Sequence, residues 1–281
     1  MADAHVAEGV AVGTVFATER TVVPRALGGD LGCGMSALRI GESATSLERR
    51  ILEQILTALG RAIPTGDAIH RGRGVSVPDR IFASPLSTRS LEHTREMLAP
   101  RHIGTLGGGN HFLELDRDPE GDLWLLVHSG SRGLGAAVAA HHARAASADD
   151  ALGGLDVETE AGAAYLSDVR WALDFARANR NSLATRAMEV LGDFIAVTAD
   201  ERVDIHHNFV ARERWFGRDV YVHRRFDPMR STMPCVASFI LAGALGTWWR
   251  KRRPRIAISA RSWRISRISF NADSASSLLP S

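Results

Sequence analysis

Asp30 and Cys33 are spaced D-x-x-C inside Gly28-Gly29-Asp30-Leu31-Gly32-Cys33-Gly34-Met35. Glycine leaves that backbone free to bend, so a carboxylate and a thiolate can converge on one point. Three imidazoles are set comparably, each beside a glycine-rich turn or at a strand end. His111 follows Gly107-Gly108-Gly109-Asn110, His128 opens His128-Ser129-Gly130-Ser131-Arg132-Gly133, and His207 precedes Asn208. Together these groups form a donor set of mixed softness suited to a first-row divalent metal, with zinc, manganese, iron and cobalt all open. Five ligands, one of them bridging, suffice for two ions. Two-metal sites act on phosphoryl groups by stabilising the entering and leaving oxygens. Taken singly, Cys33 reads as a small buried hydrophobe, and His111 or His128 as a hydrogen-bonded strand-end histidine. The shared setting is what argues for a site. His206 and His207 are adjacent, so on extended chain at most one of them faces a given point. His70, His93, His102, His141, His142 and His223 fall in loops or on helix faces and are expected to be solvated.

Competing chemistries are weaker. Strand, glycine turn and helix start around His128–Gly135 have the layout of a phosphate cradle, but Val138 stands where a dinucleotide fingerprint needs its third glycine. Gly-x-Ser-x-Gly is not matched, because Ser131 is followed by Arg132 and Gly133. Lys251 is the only lysine in the chain, which excludes a Walker A loop. Cys33 and Cys235 make no CxxC pair, so neither a disulfide framework nor a zinc ribbon is expected.

The elements that must position these groups are partly legible. Val10–Ala17, interrupted by Gly13, reads as a buried strand, with short ones at Thr21–Val23 and Ser36–Ile40. Thr45 to Ile63 predicts a helix, with Thr45 and Glu48 as a capping box and Leu47, Ile51, Leu52, Ile55, Leu56 and Leu59 on one face. A weaker helix spans Ser87–Leu98. Further on come a turn at Asp118–Asp122, a strand at Leu123–Val127, an alanine-rich helix to about Ala146, a long helix from about Ala161 to Leu191, and a strand at Asp219–His223.

Of 281 residues, 45% are hydrophobic and 23% charged, which suits a soluble globular chain with a substantial core. No apolar run approaches the roughly 20 residues that span a bilayer, and no leader of secretory type stands at Met1. A cytoplasmic home is the expectation. The charge is unevenly spread: from Phe226 onward nine Lys or Arg face two acids, while the first 225 residues hold 25 basic and 30 acidic side chains. Past Arg225 neither helical nor strand periodicity persists.

The glycine-histidine motifs, taken in order, resemble the RtcB family of RNA ligases. The resemblance rests on Asp30-Leu-Gly-Cys33-Gly-Met, Gly-Thr-Leu-Gly-Gly-Gly-Asn110-His111-Phe112-Leu113-Glu114, His128-Ser-Gly-Ser-Arg-Gly and His207-Asn208, with Met1-Ala-Asp3-Ala-His5 as an entry motif. It covers residues 1–225. It implies a single mixed α/β (α+β) domain with strands at a central metal-binding cleft and helices outside. It implies joining of RNA 3′-phosphate or 2′,3′-cyclic phosphate ends to 5′-hydroxyl ends, in tRNA splicing or RNA repair, with GTP and two Mn2+ ions. By the same resemblance Asp30, Cys33, His111, His128 and His207 match the metal ligands, the cysteine bridging. Asn110, His111, Phe112, Leu113, Glu114, His207 and Asn208 match part of the GTP site. RNA is the implied partner, and a monomer is expected.

The family's guanylylated histidine lies in a His-Gly-Ala-Gly-Arg motif, preceded by a Pro-Gly-Ser loop. Neither occurs here, and no histidine follows His223. No catalytic residue is therefore assigned. Residues 226–281 are read as an atypical basic tail without native structure, as from a shifted reading frame, and the amino end as shortened. The alternatives left open are a non-catalytic metal, nucleotide or RNA-binding remnant, and a metal-dependent cyclic phosphodiesterase.

Overall fold

The computed structural model describes residues 10–43, 47–71, 75–117, 121–146, 152–199, 201–225 and 268–271. Its centre is a five-stranded antiparallel sheet in the order β10-β4-β5-β3-β7, where β3 is Gly34–Ser43, β4 Phe112–Arg117, β5 Asp122–Ser129, β7 Glu201–His206 and β10 Ile268–Asn271. Strand β4 alternates with period two: Leu113 and Leu115 enter the core while Phe112 and Glu114 point the other way. A second antiparallel sheet has the order β1-β9-β8, from Thr14–Thr18, Arg218–Arg225 and Asn208–Trp215. β2 (Thr21–Val22) and β6 (Leu155–Asp156) form a two-stranded ribbon.

Helix α6, Glu160–Gly192, is the spine. Its 33 residues extend about 50 Å at 1.5 Å per residue. Thr159 caps it, the hydroxyl accepting the Gly162 N–H. The carboxyl-terminal half buries Leu183, Ala184, Ala187, Val190 and Leu191 against Leu38, Leu113, Leu125 and Val127 of the sheet, beside Ile55 and Leu59 of α2 (Arg49–Ala62). The amino-terminal half buries Tyr165, Val169, Ala172 and Phe175 in a second cluster with Leu27, Leu31, Leu91, Leu134 and Val138. Those last come from α1 (Pro24–Leu27) and the turn after it, α4 (Arg89–His102) and α5 (Leu134–Ala145). A short helix, α3 (Asp79–Ala83), completes the set.

This is the expected mixed α/β architecture, with helices packed outside a sheet. Several details differ from the sequence reading. Helix α2 begins at Arg49, later than expected, with Glu48 as a cap that makes no side-chain hydrogen bond; Thr45, the other half of the expected capping box, lies outside the described residues. Strands β4, β7 and β8 are not marked by the sequence pattern, because each abuts a polar knot that breaks the hydrophobic alternation. Of the expected turn, residues 118–120 lie outside the described part. Within the basic tail, Ile268–Asn271 pairs with β4, and residues 226–267 and 272–281 lie outside the described part.

Candidate metal centre

The register of β3 gathers the candidate ligands. Gly34 is paired with Ser129 of β5 on one side and with His206 of β7 on the other. Cys33, His128 and His207 are each one residue along the chain from that row, so all three fall at the same end of the sheet. Main-chain hydrogen bonds hold them there. The Cys33 N–H donates to the Asp30 carbonyl (2.9 Å), the His207 N–H to the Cys33 carbonyl (3.0 Å), and the Gly32 N–H to the Asn208 carbonyl (2.9 Å).

Cys33 Sγ lies 3.1 Å from His128 Nε2, which is 2.9 Å from His207 Nε2. The three ligand atoms are within 4.8 Å of one another and all three residues are buried. His128 Nδ1 donates to the Asn110 carbonyl at 2.9 Å, which leaves the lone pair on Nε2, facing the thiol. Burial, then the neighbouring His128 and Arg180, hold His207 well below the ordinary histidine range. Burial, His128 and Arg132 likewise bring His111 down to about 3, against a hydrogen bond to the Leu106 backbone. Neutral imidazoles suit a metal better than a proton. Ligand bonds of about 2.0–2.3 Å place the donors of one ion roughly 3–4 Å apart, close to the spacings seen. The donor set fits a divalent ion.

The other candidates stand around this trio. His111 Nε2 is 3.5 Å from Cys33 Sγ, its ring edge-on to His128 at 5.4 Å. Asp30 is exposed at the end of a 3-10 turn, and its carboxylate is outside the mutually close set. Phe112 packs its ring 5.2 Å from His128. Glu114, 2% exposed, shares the Phe112 face of β4, whereas Leu113 belongs to the core and offers a ligand only its main chain. Asn208 donates from Nδ2 to the Leu27 carbonyl at 3.2 Å, and its buried Oδ1 has no partner among the described residues. His206 turns away from the trio, its Nδ1 3.2 Å from the Gly32 carbonyl.

Two further residues escaped the sequence reading. Arg132 adopts φ +54°, and its guanidinium fills the space that a Cβ on Gly107 would take. Its NH1 is 3.4 Å from His111 Nδ1 and its Nε donates to Thr105 Oγ1 at 3.3 Å. Its place inside the His128-to-Gly133 motif was the available signal. Asn179, fully buried in α6, accepts the Gly104 N–H on Oδ1 (2.7 Å) and donates to the Thr105 and Gly130 carbonyls (3.2 Å each). It pins both glycine loops.

Two histidines expected to be solvated are not. His142 is 3% exposed and 2.7 Å from Asp168 Oδ2, and His223 is 1% exposed. Their partners come from elements distant in sequence, which helix-face or loop placement cannot reveal.

A family model described as tRNA-splicing ligase RtcB matches residues 1–88 and 83–226. The chain is 31% identical to the RNA-splicing ligase RtcB of Escherichia coli K12 over 255 aligned positions, covering 80% of this chain and 62% of that protein. It is 28% identical over 337 positions to the RNA-splicing ligase RtcB of Mycobacterium tuberculosis H37Rv, covering 88% and 76%. The tRNA-splicing ligase RtcB of Pyrobaculum aerophilum is 25% identical over 321 positions, covering 87% and 66%. The chain thus spans about three fifths of the length of the Escherichia coli relative.

Proposed function

The chain belongs to the RtcB family, and from that premise we propose that it is the metal-holding part of an RNA ligase acting on phosphate and hydroxyl ends in tRNA splicing or RNA repair. The observation that carries this is the convergence of Cys33 Sγ, His128 Nε2 and His207 Nε2. Cys33, His128 and His207 form the inner ligands. His111, against the same thiol, and Asp30, one turn upstream, complete the set for two Mn2+ ions. Divalent ions here would draw charge from phosphate oxygens and orient them.

The protein's own contribution is placement. The bond from His128 Nδ1 to the Asn110 carbonyl puts the lone pair of the neutral ring on Nε2. The three glycines Gly107–Gly109 bring main chain up to the centre without Cβ atoms, which suits the phosphates of GTP, with Asn110, Phe112, Leu113, Glu114, His207 and Asn208 around it. Burial of Cys33, His128 and His207 limits water at the inner ligands. The basic residues after Phe226 would attract RNA phosphates in a salt-dependent way. We assign the chain to the cytoplasm as a monomer. No helix among the described residues is long and apolar enough to cross a membrane.

Covalent guanylylation by the family's route is not expected, because no residue here matches the nucleophilic histidine. Incubation with labelled GTP and Mn2+ should give metal-dependent retention of nucleotide on the native chain and no label after denaturation. A denaturation-stable protein–GMP adduct would overturn that assignment.

A further inference from the structure

One guanidinium reaches all three segments that carry the inner ligands. Arg180, halfway along α6, is fully buried. Its NH1 donates to the Gly32 carbonyl at 3.3 Å and to the Ser129 carbonyl at 3.2 Å. Its NH2 also packs 3.5 Å from His206 Nδ1, a contact and not a hydrogen bond, since that nitrogen donates to the Gly32 carbonyl. Gly32 precedes Cys33, Ser129 follows His128, and His206 precedes His207. On the other edge of the fork, Nε and NH2 engage both carboxylate oxygens of Asp204 at 2.9 and 2.6 Å. Gly34 has room for the guanidinium only because it has no side chain: a Cβ there would sit 2.7 Å from NH1.

We propose that Arg180 is a positioning residue for the metal centre: it clamps the carbonyls beside Cys33 and His128 and, through Asp204, the strand that leads to His207, and so sets the spacing of their ligand atoms. The inference rests on the metal reading given above. A salt bridge serving only to fasten α6 to β7 would be satisfied by Asp204 alone. The two carbonyl contacts on NH1 lie outside that pair and tie the chain on either side of the centre. A buried charge is costly to desolvate, and an apolar side chain of similar volume would often stabilise as well or better. The contacts that only a planar fork can make at once supply the reason for an arginine.

Lysine at this position keeps the charge but cannot grip Asp204 with two donors and still reach both carbonyls. The test is Co2+ titration of the full chain followed by absorption spectroscopy, with circular dichroism as the control for folding. Wild type should show a thiolate-to-cobalt charge-transfer band. Arg180→Lys should bind Co2+ about 10–100-fold more weakly, the range typical for residues supporting metal ligands, with displaced charge-transfer and ligand-field bands. Asp204→Asn, which loosens the guanidinium from the opposite edge, should move the spectrum in the same direction by less, and it decides the matter if Arg180→Lys does not fold. A folded variant with wild-type affinity and spectrum overturns the inference and leaves the metal reading intact. A wild-type chain with no thiolate band overturns both.

Discussion

His223 shows how much a single side chain can depend on distant partners. Its Nε2 accepts the Val23 N–H at 3.0 Å, and its ring stacks on Phe16 with centroids 4.5 Å apart. Burial lowers its pKa to about 4. The unfolded chain therefore takes up a proton near the ordinary histidine pKa of about 6.5, while the folded chain resists until about 4. More protons bound in the unfolded state means that stability rises with pH, so it should fall as pH drops through that window. One such group contributes up to about 1.4 kcal/mol per pH unit. Urea unfolding of wild type and His223→Gln between pH 7 and 4.5 should show the variant with the shallower slope. Equal slopes would mean that this imidazole titrates normally in the fold. Cys33 and His207 are the opposite case at this scale, since their setting among glycines and beside Asn208 was enough to mark them.

Helix α6 carries the lesson at the level of elements. Its limits were readable from the sequence to within a residue or so, because Tyr165, Val169, Leu173 and Ala176 keep a helical spacing. Its most consequential residues were not readable. Asn179 and Arg180 look like solvated positions in a pattern that counts only apolar groups, yet both are fully buried beneath the glycine loops. Strands β7 and β8 were missed for a related reason: a chain that must deliver Asp204, His206, His207 and Asn208 to polar partners cannot also show clean alternation. Asn179→Ala tests the pinning role. It would orphan the buried Gly104 N–H and the acceptors that share the amide, at about 1–3 kcal/mol for each group left unsatisfied. A loss of about 3 kcal/mol in urea unfolding at unchanged m-value is expected. A loss under about 1 kcal/mol would show that the loops hold themselves.

At the scale of the whole molecule, two cores share one helix and the ligand-bearing ends of the central sheet stand beside the middle of that helix. That arrangement turns residues far apart in the chain into a compact donor set, which explains how the motifs could be read before the fold was known. Register did the rest, because Gly34 pairs on both edges next to a ligand. The Asp30 carboxylate is exposed and lies outside that mutually close set. The most direct measurement is an anomalous difference map from crystals grown with Mn2+. A peak within about 2.5 Å of Cys33 Sγ, His128 Nε2 and His207 Nε2 is the predicted result, at ordinary ligand bond lengths. Full Mn2+ occupancy elsewhere in the crystal, with those three atoms making no bond to any ion, would contradict it.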